Sequence, residues 1–271
     1  MAGHSKWHNI KHRKAAVDKK RGKAWTKCAK AIMVAAKMGG PDPDSNLTLR
    51  YAIDEARYAN MPRDTIERAV KKGAGLLGTD HFESVRYEGY GPGGVAVIVD
   101  ALTDNRTRTA GDLRLIFGKY NGNLGTSGSV AFMFECKGRI AIDGMQPVAT
   151  NANNPASRKG LDEILPVEED RLMELAIAAG AADVVPPDSG DTLWTVYTSP
   201  TDFHAVKSAL ESGGMHIAEA AIDMIPTAST TLTGDAASTM IQLVDALEDN
   251  DDVQKVYANF EVPEDELARM D

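Results

Sequence analysis

FESVRYEGYGPGGVAVIVDALTDNRTRTAGDLRLIFGKY, Phe82 to Tyr120, is the stretch on which the fold turns, because the hydrophobic period changes inside it. The first half alternates with period two, breaks at the Gly/Pro run Gly89–Gly94, and resumes as the β-branched run Val95–Val99, the pattern of a β-hairpin. From Thr103 the period becomes helical. Asp104 or Asn105 is placed to cap the helix, and Ala110, Leu113, Ile116 and Tyr120 share one side. GSVAFMFE, Gly128 to Glu135, reads as a further strand. The order is then ββαβ, with one sheet position and one helical face still lacking a partner.

Downstream the chain holds a unit complete in itself. Strand Arg139–Asp143, a polar loop, helix VEEDRLMELAIAA, strands ADVV and TLWTVYT, helix PTDFHAVKSALES and strand HIAEAAIDMI give the ferredoxin-like order βαββαβ. After it, a helix with Met240, Leu243, Val244 and Leu247 inward and a strand from Val253 to Phe260 supply the pieces the ββαβ unit lacks. The expected class is α+β and multi-domain. An all-α N-terminal domain (1–78) precedes two ferredoxin-like α+β domains, one discontinuous (79–137 and 226–271) and the other (138–225) inserted in it.

Upstream the sequence is helical and basic. Trp25, Cys28, Ala29, Ile32 and Ala35 form an apolar face, with Lys23, Lys27, Lys30 and Lys37 on the other side. Asp44 or Ser45 is placed to cap a second helix carrying Leu49, Ala52, Ile53 and Ala56. Pro62 opens a third with Ile66, Ala69 and Val70 inward.

Charge is segregated along the chain. Residues 1–72 carry 17 Lys and Arg against 7 Asp and Glu, a surplus of +10, and the rest carries 13 against 32, or −19, within a total of −9. A basic module for a polyanion attached to an acidic body that resists unselective sticking accounts for this split. At 271 residues with 43% hydrophobic and 25% charged composition, the chain can bury a substantial core. The solitary Cys28 and Cys136 read as reduced, buried thiols. No apolar run is long enough to span a membrane and the N-terminus lacks a secretory or convincing transit pattern, so a cytoplasmic location is expected.

Candidate sites are few. His4, His8 and His12 stack at helical spacing but lack a completing carboxylate or thiol, and lysines flank them, so no metal is expected. GYGPGG lacks the GK[ST] ending of a phosphate loop and precedes a strand, which makes it a turn. YNGNLGTSGS, Tyr120 to Ser129, could expose backbone N–H groups to an anion, although a helix end and strand entry also explain it. Phe132 and Phe134 share a strand face and read as core. The acids at 248–252 lie in a loop after a helix, where electrostatics or solvation explains them, and no catalytic constellation or cofactor motif appears.

Five motifs carry a family resemblance. AGHSKWHNIKHRKAAVDKKRGK at the start, NMPRDTIERAVKKGAG at Asn60–Gly75, YEGYGPGGVAVIV at Tyr87–Val99, TDNRTRTAGDLR at Thr103–Arg114 and NLGTSGSVAFMF at Asn123–Phe134 resemble the YebC/PmpR family. The mitochondrial translational activator of cytochrome c oxidase belongs to the same family. The resemblance implies a helical N-terminal domain and two α+β domains, one inserted in the other. It also implies a probable DNA-binding transcriptional regulator, while relatives are linked to translation through mRNA or ribosomes stalled at proline-rich sequence.

The expected function is that of a non-enzymatic, nucleic-acid-binding regulator of gene expression, with a ribosome- or mRNA-associated translation factor as the alternative. Phosphate contacts are expected from Lys6, Lys11, Arg13, Lys14, Lys19, Lys20, Arg21, Lys23, Lys27 and Lys30, stacking from Trp7 and His8, and an extension of the track from Arg106 and Arg108. The partner is DNA or RNA, with the ribosome as a further candidate and no membrane. A monomer is the simplest state.

Overall fold

The computed structural model describes residues 19–76, 82–148, 163–187, 192–263 and 266, with the backbone alone at 19–21, 147–148 and 163–164. The chain divides into two compact units, Met1–Glu135 with Met224–Asp271, and Cys136–Asp223. The histidine triplet at positions 4, 8 and 12 lies outside the described residues.

Among the described residues the first unit opens with the helices α1 (Lys19–Gly39), α2 (Leu47–Tyr58) and α3 (Arg63–Gly73). Ile32, Ala35 and Ala36 of α1 pack on Leu49, Ala52, Ile53 and Ala56 of α2 and on Ile66 and Ala69 of α3, with Met61 filling the corner. So many alanines at the contact let the helix axes approach closely. Asn46, rather than Asp44 or Ser45, caps α2. Its Oδ1 accepts from the Leu49 N–H at 3.1 Å while its Nδ2 donates to the carbonyls of Ala35 at 2.8 Å and Gly40 at 2.9 Å. The amide accepts at one helix start and donates two hydrogen bonds at another helix end at once, a set that neither a carboxylate nor a hydroxyl with its single proton can make.

The hairpin follows as β1 (Glu83–Tyr90) and β2 (Ala96–Thr103), antiparallel with Tyr90 opposite Ala96, and its turn holds Gly93 at φ +70°, where a side chain would be strained. Helix α4 (Arg106–Lys119) is capped by Asn105, whose Oδ1 accepts the Arg108 N–H at 3.0 Å, and leads to the short β3 (Asn123–Leu124).

The expected strand Gly128–Glu135 is not formed as read. A 3-10 turn occupies Ala131–Met133, and β4 starts only at Phe134 and runs on to Asp143. Phe132 therefore stands out at 75% exposure, whereas Phe134 is buried. The cause is Glu88, whose carboxylate accepts the N–H groups of Gly128, Val130 and Ala131.

Around β4 the second unit adds β5 (Met145–Val148), β6 (Glu163–Pro166), α5 (Glu169–Ala178), β7 (Asp183–Val185), β8 (Leu193–Thr198), α6 (Phe203–Ser212) and β9 (Ile217–Pro226). The sheet runs β7-β8-β4-β9, the ferredoxin-like arrangement of a βαββαβ unit. Strands β4 and β9 are neighbours, so the chain enters and leaves this unit side by side. Ile140, Ile142, Leu172, Val196, Phe203, Val206 and Leu210 form its interior. Arg139, 6% exposed, donates to Glu219 at 2.9 Å and Asp223 at 3.0 Å. Burial alone would favour its neutral form, and these two carboxylates more than offset that, so its pKa rises.

The chain then returns through β10 (Thr230–Thr231), α7 (Gly234–Glu248), β11 (Val253–Ala258) and β12 (Phe260–Glu261). The first sheet is ordered β11-β2-β1-β3, which places β2 inside it. That position explains the unbroken apolar run in β2. Val95, Val97 and Val99 meet Leu113, Phe117, Met240, Leu243 and Leu247 on one face, and Ala96 and Ile98 meet Val130 and Phe134 on the other.

Candidate nucleic-acid interface

Lys23, Lys27 and Lys30 are spaced four and three apart on α1, so their side chains form one stripe. In the folded first unit this stripe lies against the C-terminal end of α7 and the turn after it. Lys23 Nζ donates to the Asp249 carbonyl at 3.1 Å and to its Oδ1 at 2.5 Å. Lys27 Nζ donates to the Glu248 carbonyl at 2.7 Å, and Lys30 Nζ to the Asp251 carbonyl at 2.8 Å and to Asp252 Oδ1 at 3.3 Å. Three ammonium groups thus meet carbonyls at and just past a helix C-terminus, where the macrodipole is negative. The 248–252 acids are the electrostatic counterpart of the lysine stripe.

The two ends of this contact differ. Lys23 and Asp249 have side chains 40% and 75% exposed, but Lys30 and Asp252 are at 13% and 10%. Asp252 is the anchor: besides Lys30, its Oδ2 accepts from Arg108 at 2.8 Å, Thr109 Oγ1 at 2.9 Å and Thr103 Oγ1 at 3.4 Å. Burial would raise the pKa of this carboxyl, yet the hydrogen bonds from Arg108, Thr109 and Lys30 prevail and hold it below the ordinary value. A second tie is Lys255 Nζ to Glu55 Oε1 at 2.6 Å.

Arg108 also reaches Asp104 at 2.7 Å, and Arg106 lies 3.8 Å from Glu83 with a side chain 63% exposed. Their position at the start of a helix, unfavourable for cations, is explained for Arg108 by Asp252. Trp25 donates through Nε1 to the Ala59 carbonyl at 3.0 Å and packs on the module core, so its ring belongs to the fold and is not offered for stacking. Lys6, Trp7, His8, Lys11, Arg13 and Lys14 lie outside the described residues, and Lys19, Lys20 and Arg21 open α1 with only their backbone described.

The end of the Tyr120–Ser129 segment, at Gly128, and the two residues after it meet an anion, and the anion is internal. Glu88, 4% exposed, accepts backbone N–H groups from Gly128 at 2.7 Å through Oε1 and from Val130 at 2.7 Å and Ala131 at 2.8 Å through Oε2. Burial works against its charge, but the three N–H donors win and its pKa is lowered. Donors committed to Glu88 are not available for strand pairing, which is why residues 128–133 turn instead of extending. Gly128, at φ +83°, makes that turn possible. An acid facing a Gly/Ser-rich segment was the signal in the sequence, but nothing local tied Glu88 to residues forty positions away.

Two further residues differ from expectation. Cys136 is exposed, and only Cys28 is partly buried; burial, then the nearby Glu55, pushes its thiol up to about 11. Arg68 and Lys71 on the exposed side of α3, which the opening of the sequence overshadowed, have no ion-pair partner among the described residues. Also among the described residues, no group of three or more His, Cys, Asp or Glu is placed to hold a metal, and no helix is long and apolar enough to cross a membrane.

Known proteins resemble this chain along its whole length. The model of the TACO1/YebC protein N-terminal domain matches residues 5–76, and that of the TACO1/YebC second and third domain matches residues 82–260. A Pseudomonas putida protein named "probable transcriptional regulatory protein" is 51% identical over 270 residues, covering 100% of both chains. A protein of the same name from Citrifermentans bemidjiense is 48% identical, again over 100% of both. The crystal structure of a conserved hypothetical protein from Aquifex aeolicus superposes with a TM-score of 0.78 at 45% identity, covering 96% of this chain and 98% of that one. With both domain models matched in order and relatives aligned from end to end, the chain belongs to the TACO1/YebC family.

Proposed function

We propose that this protein is a nucleic-acid-binding regulator of gene expression, a DNA-binding transcriptional regulator in its leading form, and that it is not an enzyme. The observation that carries this reading is the segregation of charge: +10 on the first 72 residues, which contain a helical module with its own apolar core, and −19 on the remainder. A module of this kind binds phosphates by releasing counterions, and its acidic companion keeps the protein off unrelated polyanions. Lys6, Lys11, Arg13, Lys14, Lys19, Lys20, Arg21, Lys23, Lys27 and Lys30 contact phosphates, Trp7 and His8 stack, and Arg106 and Arg108 extend the track. The protein acts in the cytoplasm.

A second reading, a ribosome- or mRNA-associated translation factor, draws on one separate observation. Phe132 is 75% exposed on a turn whose flanking backbone is fixed by Glu88, a platform of the kind on which an unpaired base stacks. Salt titration of binding to duplex DNA, single-stranded RNA and ribosomes tests both readings, with the wild type and a Lys6→Glu/Lys11→Glu/Lys14→Glu variant. The variant should weaken all sequences alike and reduce the salt slope by about three. Unchanged binding and slope would refute the role given to the basic segment, and binding to ribosomes alone at physiological salt would select the second reading.

A further inference from the structure

We infer that the lysine stripe of α1 is a self-covered polyanion site, and that the Glu248–Asp252 turn occupies it as an internal competitor which nucleic-acid phosphates displace. The inference rests on the reading above, that the basic module binds nucleic acid, and adds how that binding is controlled.

The stripe and the turn match in the way a cationic helix matches a phosphate run. From Lys23 to Lys30 the helix rises about 10 Å, the axial length of about three phosphates on one strand of a duplex. Over that length the turn presents the Glu248, Asp249 and Asp251 carbonyls and the Asp249 and Asp252 carboxylates to the three ammonium groups. The same lysines cannot serve both partners in full.

The contact is graded, which sets where exchange begins. At the Lys30 end Asp252 is buried and held by Arg108 and Thr109 as well as Lys30, so it stays in place. At the Lys23 end both side chains are open to water, and an exposed pair of this kind is weak and screened by salt. Phosphate entering at Lys23 and Lys27 therefore displaces Asp249 and the Glu248 carbonyl while Asp252 remains as the hinge; Lys30 meets phosphate as the Asp251 carbonyl leaves it, and Arg108, which holds Asp104 and Asp252 through Nη2, meets it through its other N–H groups. A polyanion releases many condensed counterions at once on binding and outcompetes the turn; an isolated anion does not. The turn thus sets a threshold that favours extended phosphate backbones over scattered charge.

The test is the affinity of the full-length protein for duplex DNA and, in a separate arm, single-stranded RNA at fixed salt. Wild type is compared with Asp249→Asn/Asp251→Asn, and with Glu169→Gln/Asp170→Asn as a control that removes the same charge from exposed positions in the other unit. The first variant should bind about threefold to tenfold tighter, with the control within about twofold of wild type. Tightening in one arm only identifies which nucleic acid the stripe takes. Equal affinities for all three proteins, or equal tightening in both variants, would overturn the competitor while leaving nucleic-acid binding intact. If none of the proteins binds either ligand at any salt, both the inference and the reading under it fail.

Discussion

Two internal anion sites in the first unit use opposite chemistry. Around Glu88 the donors are backbone N–H groups of Gly128, Val130 and Ala131, all within 2.8 Å of a carboxylate that is 4% exposed. Along α1 the donors are lysine side chains, and the acceptors run from the buried Asp252 to the open Asp249. Backbone donors are fixed by the fold and leave buried orphans if the carboxylate goes, so the Glu88 site is structural and permanent. Lysine ammonium groups on flexible stems keep their charge and rehydrate at little cost, so the α1 site can change partners. What separates a scaffold from an exchangeable surface here is which part of the residue donates, and how much water reaches the acceptor.

That contrast breaks first at Glu88. Glu88→Ala strands the buried Val130 N–H and the part-buried Gly128 and Ala131 N–H groups and should cost about 2–4 kcal/mol of unfolding free energy, read by urea denaturation; a loss below about 1 kcal/mol would show that water replaces the carboxylate. Next is Asp252→Ala, which leaves Arg108 and Lys30 without their shared carboxylate and should cost about 2–3 kcal/mol in the same measurement.

Glu88→Gln, with roughly 1–2 kcal/mol at neutral pH, sharpens the comparison through acid. The folded-state pKa of Glu88 is lowered below 4.5, so its charge stabilises the protein above that value and the benefit is lost as pH falls through the folded-state pKa. Wild type and variant should differ by a constant amount above the ordinary carboxyl range and converge only as pH falls through the lowered folded-state pKa. A gap independent of pH would mean that shape, not charge, holds the turn. The smallest effects are expected at the exposed positions. Asp249→Asn and Phe132→Ala should each change stability by less than about 0.5 kcal/mol by thermal melting, although the second should weaken binding to single-stranded RNA if bases stack there.

Periodicity made most of the fold legible. The Val95–Val99 run, the helical spacing of Leu113 and Ile116, and the returning helix with Met240, Leu243 and Leu247 are each set by burial, which leaves its mark in local sequence. The Gly128–Glu135 stretch misled for the same reason. GSVAFMFE alternates like a strand, but a distant carboxylate captures its N–H groups, and no local pattern encodes that capture. The candidate interface shows the same limit. Lysines at positions 23, 27 and 30 announce a cationic face, and acids at 248–252 announce an anionic loop more than 200 positions later. Their meeting is a tertiary fact that either segment alone leaves open.

The most direct measurement is zero-length carbodiimide cross-linking of Lys23 to Asp249, whose Nζ and Oδ1 lie 2.5 Å apart and open to solvent, followed by peptide mass spectrometry with and without saturating duplex DNA. If phosphates displace the turn, the Lys23–Asp249 peptide forms in the free protein and falls several-fold in the complex. An undiminished yield in protein shown to be fully bound would place the nucleic acid elsewhere and contradict the self-covered site.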